Sequence, residues 1–280
     1  MTKAPLLTDR RALERNRARA LALPAPALFL HETAMDEVKE RLETVNRTFT
    51  DAAVVTGFPA LWQGALPQAR MAADTEVLDL APASLDLVVH AMALHWANDP
   101  VGQIVQCRRA LRPDGLFLAL LFGGQTLHEL RAALAEAEAE VTGGLSPRVL
   151  PMGEIRDLGA LLQRAGLALP VADSFTQRVL YRDAFHLMQD LRAMGEGNAL
   201  AARLRRPTRR AVLLRAAEIY AQAHAGPDGR VPATFEILCL TGWAPHDSQQ
   251  KPLRPGSAQQ RLAEALNTVE QPLRKGSQPG

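Results

Sequence analysis

The residues of this chain that could do chemistry are few. His95 and Trp96 follow the apolar segment LDLVVHA at 85–91. A histidine titrates near neutrality and suits acid or base work; it equally suits a helix start, bonded to backbone. Gly57 lies in AAVVTGFPALW, residues 52–62. Its missing side chain would let backbone approach a ligand closely, or simply make a strand-to-helix turn. Asp74 ends ARMAAD (69–74) and offers a carboxylate to a ligand or a cap to the next segment. Gly123 and Gly124 follow LALLF, as an open approach to a sheet edge or as a flexible turn. Arg203, Arg205, Arg206, Arg209, Arg210 and Arg215 place six arginines within thirteen residues. They read as a solvated face or as a docking surface, since arginine pairs carboxylates and phosphates bidentately. Partner binding is assigned to Arg205, Arg206, Arg209 and Arg210. Glu136, Glu138 and Glu140 read as a solvated helix face. Cys107 and Cys239 sit in apolar settings and read as buried thiols. No two-His-one-carboxylate spacing is convincing, so no metal site is expected.

Those residues need elements to hold them. The chain has 280 residues, 47% hydrophobic but only 5% aromatic, so Leu, Val and Ala must build its core. Its 32 basic and 30 acidic side chains give a formal charge of +2, which argues against a nucleic-acid binder. No apolar run is long enough to span a membrane. TDRRALERNRARALAL, near the start, reads as an Arg-rich helix lying over the fold rather than a transit peptide. A helix is expected over 32–46 and strands over 52–55, 69–74 and 85–91. Asp99 and Pro100 open the next helix as N-cap and first residue. LFLALLF (116–122) is a continuous apolar run, as in a central parallel strand. Thr126 and Glu129 have the spacing of a capping box. Helices are expected over 153–165, 183–194 and 208–224, with strands at LALPVADSFTQRVLY and VPATFEILCLTGW. The expected domain is 1–243, with a helical insertion at 183–224. Residues 244–280, rich in Pro, Gln, Gly and Ser, read as a flexible tail. Alternating strands and helices imply an α/β fold, with a mostly parallel sheet covered on both faces. Ligands then bind beyond the carboxyl ends of the strands, after residues 55, 74, 91 and 122.

LDLVVHAMALHWANDPVGQIVQCRRALRPDGLFLALLFGGQTLHELR resembles the class I S-adenosylmethionine-dependent methyltransferases. Within them the chain is similar to the malonyl-carrier-protein O-methyltransferases of biotin synthesis. It is more similar to the mitochondrial complex I assembly factors that hydroxylate an arginine of a complex I subunit. That likeness continues through GGLSP, DLGALLQRAG, LMQDLRAMGEGNA, DGRVPATFEI and GWAPHDSQ. The resemblance implies a Rossmann-like fold and S-adenosylmethionine as cofactor. The acceptor it implies is a protein or carrier, such as an NADH dehydrogenase subunit. It places Val55, Gly57, Asp74, Thr75, Ala91 and Met92 at the cofactor, Asp74 beside the adenine, and His95 facing the cleft as the catalytic candidate. A bacterial relative would be cytoplasmic, peripheral to the membrane through its partner.

The sequence also departs from the family. The family loop is D-x-G-x-G-x-G; here Val54-Val55-Thr56-Gly57-Phe58-Pro59-Ala60 keeps one glycine. Only 28 residues separate Gly57 from Asp86, too few for two full strand-helix units. One unit, with the carboxylate that would hold the ribose hydroxyls, is therefore expected to be deleted. Losing a charged hydrogen bond costs about 1.5–3 kcal/mol, and forcing a non-glycine to positive φ roughly 1–2 kcal/mol. Together they would lower cofactor affinity by about two to three powers of ten. The alternative to an enzyme is thus a cofactor-poor scaffold that holds an immature complex I subunit.

Overall fold

The computed structural model describes residues 6–249. Those up to His246 form one compact unit. The expected tail lies outside the described residues from 250 onward. In chain order the elements are α1 (Arg10–Leu21), α2 (Phe29–Val45), β1 (Ala52–Thr56), α3 (Pro59–Ala65), β2 (Arg70–Ala73) and β3 (Leu85–Ala91). After a 3-10 turn at Leu94–Trp96 come α4 (Pro100–Ala110), β4 (Leu111–Phe122), α5 (His128–Thr142) and α6 (Ile155–Arg164). The remainder is β5 (Ala168–Tyr181), α7 (Ala184–Ala193), α8 (Arg210–His224) and β6 (Val231–Trp243).

The strands form one sheet in the order β2-β1-β3-β4-β6-β5. The first four run parallel. β6 runs antiparallel to both β4 and β5. This is a Rossmann-like α/β sheet, mostly parallel. Between β1 and β3 there is room for only the short α3 and the four-residue β2. The helical insertion before the last strand is α7 and α8.

Why the central strands are apolar throughout follows from their neighbours. Side chains alternate across a strand, so a strand covered on both faces needs apolar residues at every position. Val54, Val89, Leu118 and Leu120 face the cluster shared with α2, α3, α5, α7 and α8. Ala53, Val55, Val88, Phe117 and Leu121 face the cluster under α4 and α6. Fully burying each Val or Leu contributes about 1.5–3 kcal/mol. β5, at the sheet edge, instead alternates exposed and half-buried residues.

Asp99 caps α4 through the Gly102 N–H, with Pro100 at the first turn. The capping box before α5 does not form. The residue preceding that helix is Leu127, in the left-handed region at φ 55°. The Thr126 hydroxyl donates to the Glu236 carbonyl, and the Glu129 carboxylate accepts from the Thr234 hydroxyl. Both side chains are drawn across to β6, where half-buried partners replace a local cap. Glu138 corrects a second expectation. It is 5% exposed and accepts from Ser146 and, as an ion pair, from Arg148 at 2.6 Å. Only Glu136 and Glu140 lie on the exposed face, and Glu140 pairs with Arg215.

Candidate functional site

At the carboxyl ends of β1, β2 and β3 the parallel register sets Thr56 beside both Ala73 and Ala91. Asp74, Gly57 and Met92, the next residues, therefore converge on one cleft. Val55, Ala91 and Met92 are buried in its floor. Met92 holds a left-handed φ of 49°. Its N–H donates to the Leu120 carbonyl, which turns the chain into the 3-10 segment carrying His95 and Trp96. Thr75 points away: it is exposed, and its hydroxyl donates to the Val77 carbonyl.

The cleft is filled from above by α1. Arg17 reaches down, its side chain 6% exposed, and its Nη1 donates to both Asp74 oxygens at 2.9 and 3.0 Å. Arg10 adds two further bonds to the same carboxylate, at 3.2 and 3.1 Å. Burial alone would raise the Asp74 carboxyl; Arg17 and Arg10 overcome that and hold it below the usual carboxylate range. Asp74 is thus neither a free adenine-side acceptor nor a helix cap. The Arg17 guanidinium lies directly on Gly57, where a Cβ would sit 2.2 Å from it. Gly57 is needed for close approach, but the group approaching is arginine. Phe58, 1% exposed, packs beneath Arg17 and against the His31 ring, 4.6 Å away.

This arrangement does not fit an adenosyl group. The one bare stretch of the loop is covered, both oxygens of Asp74 are taken, and Phe58 is sealed into the core. The disagreement is local: it comes from α1 rather than from the sheet.

Beyond this cleft, between the sheet end and the insertion, opens a cavity of about 230 Å³. Phe122, Leu127, Leu130, Met152 and Phe235 give it apolar walls, and Trp96 and Glu196 a polar end. Glu196 sits in Gly195-Glu196-Gly197, the partition between cleft and cavity. Gly195, at φ 82°, leaves room for Arg17 Cα and Phe58 Cζ, each 3.2 Å from where its Cβ would be. The Gly197 carbonyl accepts from Asn16 of α1 at 2.9 Å. One Glu196 oxygen, Oε2, accepts from the Trp96 indole N–H at 2.8 Å and lies 3.5 Å from His95 Nε2. Burial opposes ionisation of Glu196, but His95, Arg17 and the Trp96 N–H outweigh it and lower its pKa.

The His95 side chain is 1% exposed. It is wedged against Phe122 at 4.8 Å and Trp96 at 5.8 Å between ring centroids. Its Nδ1 accepts the Phe122 N–H at a long 3.5 Å, while Nε2, 3.5 Å from Glu196 Oε2, is buried without a hydrogen bond among the described residues. Trp96 is both wedge and wall: 2% exposed, yet lining the cavity. Gly123 and Gly124 make room for the carboxylates of Glu236 and Glu154. Among the described residues, no cluster of His, Cys, Asp or Glu could hold a metal ion.

The arginine group divides. Arg203 and Arg205 pair with Asp9, at 2.9 and 3.4 Å, and tie the insertion to the start of α1. Arg206, Arg209 and Arg210 are exposed and form no ion pair among the described residues. Arg10, Arg17 and Glu196 were missed as site residues in the sequence. The signals were present: an arginine-rich helix laid over the fold, and an acid between two glycines.

The model of a methyltransferase domain matches residues 18–119. The chain is 37% identical over 238 residues to the arginine-hydroxylase NDUFAF5, mitochondrial, of Homo sapiens, covering 83% of this chain and 68% of that protein. To the protein of the same name from Danio rerio it is 41% identical over 202 residues, covering 71% and 62%. It is 35% identical over 188 residues to the malonyl-[acyl-carrier protein] O-methyltransferase of Laribacter hongkongensis, covering 67% and 61%. The chain thus spans less than two thirds of the length of the last two relatives.

Proposed function

We infer, for a chain that belongs to the family of the arginine-hydroxylase NDUFAF5 within the class I S-adenosylmethionine-dependent methyltransferases, that it is an enzyme modifying a protein acceptor. The acceptor of this reading is a subunit of an NADH dehydrogenase (complex I) under assembly. The observation that carries it is the cavity beside the cleft, lined by Glu196 and Gly197, whose neighbour Gly195 packs on Arg17 and Phe58 of the cleft. A transfer enzyme must bring two reactants within reach of each other, and two adjoining sites at the carboxyl ends of the strands supply that. S-adenosylmethionine is the cofactor of this reading, and it requires α1 to leave the cleft. With α1 in place the cleft does not fit it. His95 holds the Trp96–Glu196 end of the cavity in place.

The second reading is an assembly scaffold without catalysis. Arg17 seated on Gly57 favours it. The two readings separate in mass spectra of NADH dehydrogenase subunits from cells with and without this gene. The enzyme reading expects one subunit to lose a covalent mass increment on deletion. Unchanged subunit masses with incomplete assembly would overturn it and leave the scaffold.

Docking of the partner is assigned to the exposed Arg206, Arg209 and Arg210. Reversing all three charges should lower recovery of the partner in a pull-down at least tenfold; undiminished recovery removes the assignment. The proposed location is cytoplasmic, peripheral to the membrane through the partner. Among the described residues no helix is long and apolar enough to cross a membrane.

A further inference from the structure

We propose that α1 leaves the cleft together with residues 197–205, as one strap, so that a single movement opens both the cleft and the cavity behind Trp96. The inference extends the reading that α1 must lift and names what lifts with it.

Within this pair of segments the contacts form a short ladder. Thr8 and Leu200 make an antiparallel bridge. On either side of it the Asp9 N–H donates to the Ala199 carbonyl and the Ala201 N–H to the Leu7 carbonyl, both at 2.8 Å. The Gly197 carbonyl accepts from Asn16 at 2.9 Å. Asp9 pairs with Arg203 at 2.9 Å and with Arg205 at 3.4 Å. Leu13 of α1 and Leu200 are buried in one apolar cluster, with Leu7 packed against it. The contacts that hold the pair to the rest of the chain pass instead through side chains. Arg10 and Arg17 reach Asp74. The Thr8 N–H donates to Asn98 Oδ1 at 2.8 Å, and Asn198 Nδ2 to the Pro147 carbonyl at 2.9 Å. Peeling α1 away alone would strand four backbone groups beside the buried Ala199 and Leu200. Lifting the two segments together keeps those groups paired.

The two segments also share a hinge. α1 runs into residues 22–25, all exposed. Just beyond them the Ala27 N–H donates to the Ala193 carbonyl at 3.0 Å, which sets the fixed ends of both segments side by side. The Glu196 N–H closes the last turn of α7 on the Leu191 carbonyl at 2.9 Å. Glu196 therefore stays with α7, and the pivot falls at Gly197, where no side chain restricts the backbone. At the far end, residues 205–207 are exposed and give slack before α8. The strap covers one site with each edge. Arg17 lies on Gly57 in the cleft, and Gly197 and Asn198 line the cavity. Binding that needs the strap raised at either site enlarges the open fraction for the other, so the two sites are linked with positive sign.

Amide hydrogen exchange of the full chain without ligand, followed by NMR, separates one strap from a helix that peels alone. Arg17→Ala loosens the hold on the cleft, and Arg15→Ala is the exposed control. The Thr8 N–H, bonded across the seam to Asn98, should exchange roughly tenfold or more faster in Arg17→Ala than in the control. The Asp9 and Ala201 N–H groups, bonded within the strap, should stay within about twofold of the control. Acceleration of these two to the same degree as Thr8 means that α1 peels alone, and overturns the proposal. An unchanged Thr8 rate means that no such opening occurs, and overturns it equally. A second measurement fixes the bridge. Its flanking bonds make Thr8 and Leu200 a non-hydrogen-bonded pair, with Cα atoms about 4.5 Å apart in antiparallel strands, within reach of a disulfide. Thr8→Cys and Leu200→Cys are added to Arg17→Ala; the native Cys107 and Cys239 are buried. Oxidation should leave the fast exchange of the N–H at position 8 unchanged from that of the reduced protein. Slowing by roughly tenfold on oxidation would show that opening breaks the bridge, and the proposal fails. Neither measurement involves ligand or turnover, so the outcome is distinct from that of the enzyme reading, which the subunit masses decide.

Discussion

The contact between α1 and the cleft can be challenged at one atom group. Arg17→Ala removes a guanidinium that donates to Asp74 at 2.9 and 3.0 Å. Deleting one partner of a buried ion pair costs about 3–5 kcal/mol when the other is left uncompensated. Two features reduce the figure here. Arg10 stays on the carboxylate at 3.2 and 3.1 Å, so Asp74 is not orphaned. The Nε and Nη2 groups of Arg17 are buried with no partner, and such groups cost about 1–3 kcal/mol each while they remain. With about 4 kcal/mol for the pair and about 1 kcal/mol returned by each of the two unpartnered groups, the net loss of α1 docking is about 2 kcal/mol. A ligand that needs α1 lifted binds with an apparent affinity scaled by the open fraction. A change of about 2 kcal/mol is then roughly a thirtyfold tightening. Calorimetric titration with S-adenosylhomocysteine of wild type, Arg17→Ala and the exposed control Arg15→Ala measures it. The control should match wild type. If Arg17→Ala binds no more tightly than wild type, or binds more weakly, the guanidinium does not exclude the ligand and the reasoning fails.

Gly57→Ala tests the same contact from the other side: its Cβ would fall 2.2 Å from the Arg17 guanidinium, so it should break the Arg17–Asp74 pair and lower the Tm, whereas combination with Arg17→Ala should add little further loss. Glu138→Ala should cost about 3 kcal/mol in urea unfolding by stranding Arg148; a loss within experimental error would show that the pair is solvated. His31 and His90 have pKa values pushed down to about 4 by burial. Their folded values lie below the unfolded value near 6.5, so the unfolded chain binds more protons between them. The stability they provide is full above about pH 6.5 and falls, by up to about 1.4 kcal/mol per histidine per pH unit, as pH drops toward 4. The unfolding free energy of His90→Gln, followed from pH 7 to 5, should decline less steeply than that of wild type; parallel curves would contradict the assignment.

Much of the fold was legible because its physics is local. LFLALLF is apolar at every position, and only a strand covered on both faces needs that. Asp99-Pro100 announced a helix start that needs no distant partner. The 28 residues between Gly57 and Asp86 left space for one strand-helix unit, and the sheet carries one there. The readings that failed share a cause, in that groups outside the helix bind the side chain: Thr126 and Glu129 match a local motif but meet β6 instead, and Glu138 is taken by Ser146 and Arg148 in the loop that follows α5. Thr234 lies 105 residues from Glu129, and no spacing rule sees it.

The site divides in the same way. The sequence by itself determined that Gly57, Asp74 and Met92 end three strands, and parallel pairing must then bring such ends together. Tertiary structure alone decided what occupies that convergence. Arg17 is 57 residues from Asp74, and Glu196 is 100 residues from Trp96. Periodicity records which face of an element is buried, not which charge on one element meets which on another. That is settled only when the helix packs and each buried charge must find its partner.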